Sequence, residues 1–573
     1  MDIKKLAQSF LKSLFLLLIQ IFYIKFFGIK NLLIGVMLGV ASIALLRRDF
    51  TGNLLYRTIT FLTMNLILGI VSYLSSLNIY VGCILNFLTI FITTYVYMND
   101  FRQPTSYIFL MTYIFMWSIQ IRFAELPLRL LSITFGVFLI MLFQVLFNMK
   151  KFKTKSNQIV TAIINDMNNN IDSLMKGDYE ENKSIKTNQK IRNLMIFISN
   201  RSHKKIRNKD YELDKFNLGM CLFRLNLIIN HIYKSNLDKN KKHEYLSDLK
   251  KQLINLDMFN NGQMNIKDIT LSIGELLEKY EKERKSVKYI DESLYILKIF
   301  IEKINNLPIY ESSILNILYI TVNKFSSFSL FENIIENFSF KSLRFKYSLR
   351  LSVALSISML FVNMTIGLKN ATWIILSIYV ILQPYKEDSL SKAKQRFIGV
   401  IIGAITFYLF FSIFKDYIPI NIIMLISFTG YFYFVDYKKK VIMTTIISLS
   451  SISLVQNIEI NSFNRFAFVS IGIFIALIFN KYFLPYNIND SIKELKYKYI
   501  KTTKDILKEI EFIIQGNGDL DKVAKLSMQK NQIENKLILN SNKFNQYQIE
   551  KFIYEESIKM NDEKFLIIKS LKV

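Results

Sequence analysis

Histidine, cysteine and proline are scarce in this chain, with three, two and six copies among 573 residues. The histidines, His203, His231 and His243, all fall in one polar stretch, and none forms an H-E-x-x-H pair; His243-Glu244 alone is no metal site. Cys83 lies in an apolar run and Cys221 in a polar one, so they occupy different depths or compartments and form no disulfide. No G-x-x-x-x-G-K-[ST] occurs, which excludes a Walker-type ATP engine within the chain. No nucleophile or metal constellation stands out, so neither an enzyme, a cofactor nor a metal is expected. Acidic residues are also short, 45 against 73 basic, for a net charge of +28. On a soluble protein that excess would point to nucleic acid. Here the basic residues gather beside apolar runs, as cytoplasmic loops facing anionic lipid do, and no nucleic-acid partner is expected. The richness in Lys, Asn and Ile with so little Pro reads in part as a compositional bias, so some of the charge carries no functional information.

What is present is apolar length. Half the chain (51%) is hydrophobic, and mean hydropathy is +0.26 although 21% of residues are charged. The average hides a partition into apolar blocks at 1–150 and 346–485 and polar, Lys/Asn/Glu-rich blocks at 151–345 and 486–573. Runs of about 18 residues suffice to cross a hydrocarbon core of about 30 Å. Twelve spans are expected, at 9–27, 29–46, 54–75, 77–98, 104–121, 126–148, 348–366, 368–383, 396–414, 418–436, 440–457 and 464–484. The span at 368–383 is short, as a broken or tilted helix would be. The N-terminal run follows Lys4 and Lys5 without a cleavage site and reads as a retained span. Basic loops at Arg47, Arg48, Arg57 and Arg102, at Lys150–Lys155, and again at Lys386–Arg396 and Lys438–Lys440 place both termini and both polar blocks in the cytoplasm. The polar blocks read as helices. Val160, Ile163, Ile164, Met167, Ile171, Leu174 and Met175 recur at helical spacing before Gly177, and Ile492, Leu495, Tyr499, Ile506, Ile510 and Ile513 do so before Gly516. The Asn-rich stretch 256–265 is expected to be a loop.

The charged knot between two spans, ILQPYKEDSLSKAKQRFIG at 381–399, occurs twice in outline. Asp388 and Arg396 stand eight residues apart, and so do Asp49 and Arg57, at an offset of 339. Asp436 and Asp100 differ by 336, as do Arg465 and Arg129, each followed seven residues on by a glycine, Gly472 or Gly136. Gly516 and Gly177 return to 339. The pattern predicts an all-α polytopic membrane protein made of two parallel six-helix repeats, each followed by a helical cytoplasmic region, related by a pseudo-twofold axis along the membrane normal. Asp388 and Asp49 are expected in first turns, where a carboxylate complements the helix dipole.

The runs LRFKYSLRLSVAL, ATWIILSIYVILQP and QRFIGVIIGA resemble the FUSC family, the fusaric acid resistance-like or aromatic acid exporter membrane proteins. Arg350, Trp373, Gln383, Pro384, Arg396, Gly399, Gly403 and Ala404 carry that resemblance over about 340–485. The first repeat departs from it, with Ala44 for Gln383 and Thr60 for Gly399, which argues against a strictly symmetric site. The resemblance implies an inner-membrane exporter of small organic anions, aromatic carboxylic acids among them, driven by an ion gradient. Plant malate-permeable anion channels are similar in this region, so a passive channel is the alternative; a non-transporting membrane scaffold is the third.

For that function the expected substrate-binding residues are Arg396, Arg57, Gln383, Trp373 and Arg350, the guanidinium fork being suited to carboxylates. Asp388, Asp49, Asp436 and Asp100 are the candidates for coupling or gating, and Gly399, Gly403, Gly35 and Gly39 for close helix packing. Each has a plainer role too: Arg396 as a headgroup anchor, Gln383-Pro384 as a helix stop, Trp373 as core. The expected partners are a small organic anion and the lipid bilayer, with a homodimer as the expected assembly. On this topology, Ser76→Cys, Lys369→Cys and Asn461→Cys should label from outside the cell, whereas Gly52→Cys, Lys392→Cys and Lys439→Cys should not. External labelling at position 439 would overturn the orientation.

Overall fold

The computed structural model describes residues 3–51, 54–98, 105–148, 151–178, 180–201, 209–234, 238–280, parts of 290–300, 338–340, 342–365, 371–414, 419–453, 458–541 and 546–569. Among them the regular structure is helical and no strand occurs. The chain forms two compact units. One joins 1–47, 54–146 and 329–491; the other joins 48–53, 147–328 and 492–573.

The first unit holds α1 (Ile3–Phe27), α2 (Leu32–Ala44), α3 (Leu54–Leu77), α4 (Ile79–Tyr97), α5 (Thr105–Ser118) and α6 (Leu126–Asn148). After the intervening polar block it continues with α12 (Leu343–Met364), α13 (Thr372–Ile381), α14 (Lys386–Phe414), α15 (Ile420–Tyr433), α16 (Tyr437–Ser453) and α17 (Ile458–Tyr482). A helix stands at every expected span. Among the described residues, seven helical stretches are long and apolar enough to cross a membrane, within α1, α3, α4, α6, α12, α14 and α17. Shorter apolar helices, α2, α13 and α15, lie between them, and the expected short span 368–383 is the ten-residue α13. Helix α14 begins at Lys386, ten residues before the span expected at 396, so Arg396 is carried inside it rather than at its mouth.

Close packing in this unit depends on small residues. A Cβ at Gly399 would stand 2.8 Å from Val441 Cβ, and one at Gly403 2.8 Å from Thr445 Cβ, so both glycines admit α16 against α14. Gly35 admits the Tyr23 ring, and Gly39 the side chains of Leu16 and Ile19, a Cβ there standing 2.9 Å from either. Gly472 brings α17 onto α13, where a Cβ would meet Ile374 O at 2.6 Å and Ser377 Cβ at 2.7 Å.

The second unit contains α7 (Lys151–Lys176), α8 (Glu181–Arg201), α9 (Lys209–Lys234), α10 (Lys239–Asn260) and α11 (Ile266–Lys279), then α18 (Ile488–Ile514), α19 (Leu520–Ser541) and α20 (Gln546–Lys569). The stripe Val160, Ile163, Ile164, Met167, Ile171 and Leu174 is buried against α8, α9 and α10. The stripe of α18 packs on its own successors, Ile506 and Ile510 with Val523 and Met560, and Tyr499 with Leu537, Ile549 and Ile553. Gly177 ends α7 at φ 85°, with its N–H on Leu174 O and that of Asp178 on Ser173 O. Gly516 follows α18 at φ 84° with the same pair of bonds, to Ile513 O and Phe512 O. This left-handed cap satisfies carbonyls that would otherwise be orphaned. The stretch 256–265 is only partly a loop: α10 continues to Asn260, because Leu253 and Leu256 are still buried, and the turn is confined to 261–265.

Two glycines with opposite environments test this reading. Gly274 in α11 has open space where a Cβ would go, so Gly274→Ala should raise stability by about 1 kcal/mol. Gly177→Ala should lower it by about 1–2 kcal/mol, because Ala resists the left-handed region. Thermal unfolding of the detergent-solubilised protein measures both, and the opposite order would contradict the cap geometry.

Candidate functional site

The corner between α13 and α14 is built on Arg350, which is fully buried on α12. Its Nη2 donates to Gln383 O at 2.6 Å and Pro384 O at 2.9 Å, and its Nη1 to Leu484 O at 3.4 Å. Gln383 and Pro384 lie past the end of α13 and Leu484 past the end of α17, so the guanidinium ties the corner to the end of α17. The Gln383 amide donates to Val380 O, and its Oε1 accepts from Lys392 Nζ at 2.9 Å. Asp388 lies in the first turn of α14. Asp49 does not lie in the first turn of α3: it occupies the bend before it, accepting the Thr51 N–H at 2.9 Å and hydroxyl at 2.6 Å. Asp436 is exposed just before α16, Arg57 is half-buried on α3, and Asp100 falls outside the described residues.

One turn beyond Lys392, Arg396 is buried on the face of α14 that Gly399 and Gly403 turn toward α16. Arg465 on α17 is 97% buried, its exposed fraction being 3%, with its guanidinium carbon 3.8 Å from the centre of the Trp373 ring on α13. The neighbours Phe397 and Phe466 touch, ring centres 5.8 Å apart, and the two arginine charges repel each other. Arg396 Nε and Arg465 Nε and Nη1 are buried with no hydrogen-bond partner, and neither side chain has a carboxylate partner among the described residues. Ser377 Oγ and Tyr437 OH nearby on α13 and α16 are buried without partners as well. Lys392 lies over the Tyr437 ring, 5.6 Å from its centre. Tyr107 of α5 is exposed, stacks on Tyr379 with ring centres 5.6 Å apart, and lies within the field of Arg396.

Arg465 thus lies between two residues singled out in the sequence, stacked on Trp373 and within the field of Arg396, while Arg350 bonds the backbone of the corner that carries Gln383. Arg465, Tyr107 and Tyr437 complete the set and were not singled out for it. The repeat held a signal for Arg465, because its counterpart Arg129 follows the same spacing. Arg129 is engaged at all three nitrogens: Nε donates to Asn31 Oδ1 at 3.2 Å, Nη1 to Met116 O at 3.0 Å and Nη2 to Lys30 O at 3.4 Å. The quartets GIKN at 28–31 and GLKN at 367–370 also stand 339 apart and mark the loop that the first-half arginine grips.

An ionised side chain buried in a membrane-spanning segment is costly and characteristically belongs to a transport path. This arrangement, two cations with free donors beside aromatic faces, suits an anion, and an aromatic one best. No curated protein and no solved structure matches the chain. A family model does match, over residues 355–479, which contain α13 to α16, the second half of α12, most of α17, and both Arg396 and Arg465. Across its second set of apolar helices this multi-pass membrane protein thus matches the fusaric acid resistance protein-like family.

Proposed function

We propose that the protein is an inner-membrane exporter of small organic anions, aromatic carboxylates in particular, driven by an ion gradient. The observation that carries this reading is the pair of buried guanidiniums, Arg396 and Arg465, with unpartnered donors inside membrane-spanning helices. Leaving such donors unpaired costs several kcal/mol per group, and an anionic substrate offsets that cost when it binds. Lys392, Arg396 and Arg465 form a file of positive charge that draws an anion inward from the basic end of α14. Trp373 and Tyr107 supply faces for an aromatic ring, and Arg350 and Gln383 keep the corner in place. Asp388, at the head of α14, is the proposed gating carboxylate. The basic end of α14, both termini and the polar blocks are cytoplasmic on this reading.

The fold is proposed to be a duplication of a six-helix unit. Helices α12 and α13 stand where α1 and α2 stand after an offset of 339, and α17 overlaps α6 after 336. The packing of α4 on α12 is matched by that of α15 on α1, as a pseudo-twofold axis requires. The two copies use this arginine differently: Arg465 Nε and Nη1 have no partner, whereas Asn31 and two carbonyls engage every nitrogen of Arg129.

Transport per inserted molecule tests the site. Arg396→Gln and Arg465→Gln should each reduce aromatic-acid flux about tenfold to a hundredfold, the loss of one charge-assisted contact. Arg396→Lys should retain part of the flux, since charge survives while the fork geometry is lost. Arg57→Gln should cost less, because the first half has Ala44 where the second has Gln383. Unchanged flux per molecule in both glutamine variants, with only abundance reduced, would leave these arginines as membrane anchors.

A further inference from the structure

The second unit buries a separate group of cations that the transport site does not use. Lys530 on α19 is 9% exposed, and its Nζ donates to the thioether sulfur of Met560 on α20, at 3.0 Å. Its ammonium lies over the Tyr499 ring of α18, 5.1 Å from the centre. Arg192 of α8 and Arg224 of α9, both buried, face it as like charges. The carboxylates facing it are Glu534, on its own helix, and Glu556 of α20. Glu534 is already engaged: Tyr499 OH donates to it at 2.8 Å, and Arg192 Nε lies 2.8 Å from its second oxygen, too poorly aligned for a hydrogen bond. Ser527 Oγ, one turn before Lys530, is buried without a partner.

A thioether is a weak acceptor and leaves the other donors of a buried ammonium unmatched. Lys530 and Arg192, from two helices, thus meet beside the buried Glu534 carboxylate, with Arg224 of a third helix facing Lys530. We propose that this cluster is an anion-binding site of the second unit, taking a compact oxyanion, an organic carboxylate or inorganic phosphate, on Lys530 and Arg192 with Ser527 as a further donor. Bound there, an anion would tie α8 and α9 to α19 and α20, and the unit would sense the concentration of that anion. Burial pushes the Lys530 ammonium down to about 8, so it is largely charged at pH 7 and largely neutral at pH 9.5. Anion affinity should therefore fall as pH rises through 8.

The test uses the full chain carrying Arg396→Gln and Arg465→Gln, so that the membrane site contributes nothing. Sodium phosphate and sodium benzoate are titrated at pH 7.0 and 9.5, with sodium chloride at matched ionic strength, and the thermal midpoint is followed. One of the two oxyanions should raise the midpoint at pH 7.0 beyond chloride, and which one does so identifies the source. Lys530→Met should weaken that anion's apparent affinity about tenfold or more while itself raising the midpoint without anion, since it removes a buried charge. Should Lys530→Met not accumulate, Lys530→Gln serves the same comparison. A response equal to chloride, or one unchanged in the Lys530 variant, overturns the proposal.

Discussion

A guanidinium cannot shed its charge in a protein and cannot be left bare in hydrocarbon without a cost of several kcal/mol. The membrane unit is arranged around that constraint. Arg129, Arg344 and Arg350 grip helix-end carbonyls, those of Met116 and Lys30, of Tyr95 and Val96, and of Gln383, Pro384 and Leu484, with Arg350 Nε left unpartnered. Such carbonyls are the unsatisfied acceptors of a terminated helix, so each arginine repairs two deficits at once. Arg396 and Arg465 lie on helix interiors, where the neighbouring carbonyls already accept backbone bonds. Their donors stay open for that reason, and the pathway reading rests on this difference in position.

On the proposed duplication, the same constraint explains how the two halves come to differ. In the first half Asn31 reaches Arg129 and the arginine becomes a structural brace. In the second, Trp373 occupies the space over Arg465, and an aromatic face attracts a cation without consuming its N–H groups. Brace and receptor are thus alternative uses of one arginine, decided by what packs above it. On the proposed reading a single open half makes the transport site asymmetric, in keeping with Ala44 and Thr60 at the first-half positions that match Gln383 and Gly399.

Much of the helical layout was legible because hydropathy and period report burial directly. The stripe from Val160 to Leu174 marked the buried face of α7, and Gly177 and Gly516 marked where two helices stop. Boundaries set by packing were not legible: α14 extends back to Lys386 since Tyr385 and Ser389 are buried there, and α10 passes through its Asn-rich end. The site itself was half legible. Arg396 and Trp373 stood out in the resemblance, whereas Arg465 stood out only as one of a repeated pair. Within a span that is apolar on every side, periodicity cannot say which face meets which neighbour, so the encounter of Arg465 with Trp373, and of Tyr107 with Tyr379, required the fold. For Arg350 the residue type suggested a carboxylate partner, and three backbone carbonyls took that place.

The central claim is that the membrane unit passes organic anions, and counterflow tests it without presuming any one residue. Purified protein in proteoliposomes preloaded with unlabelled benzoate should take up external labelled benzoate transiently above equilibrium. An imposed pH gradient should change the net flux. Uptake no greater than in protein-free liposomes, with a range of aromatic and aliphatic carboxylates and with or without the gradient, would contradict the account.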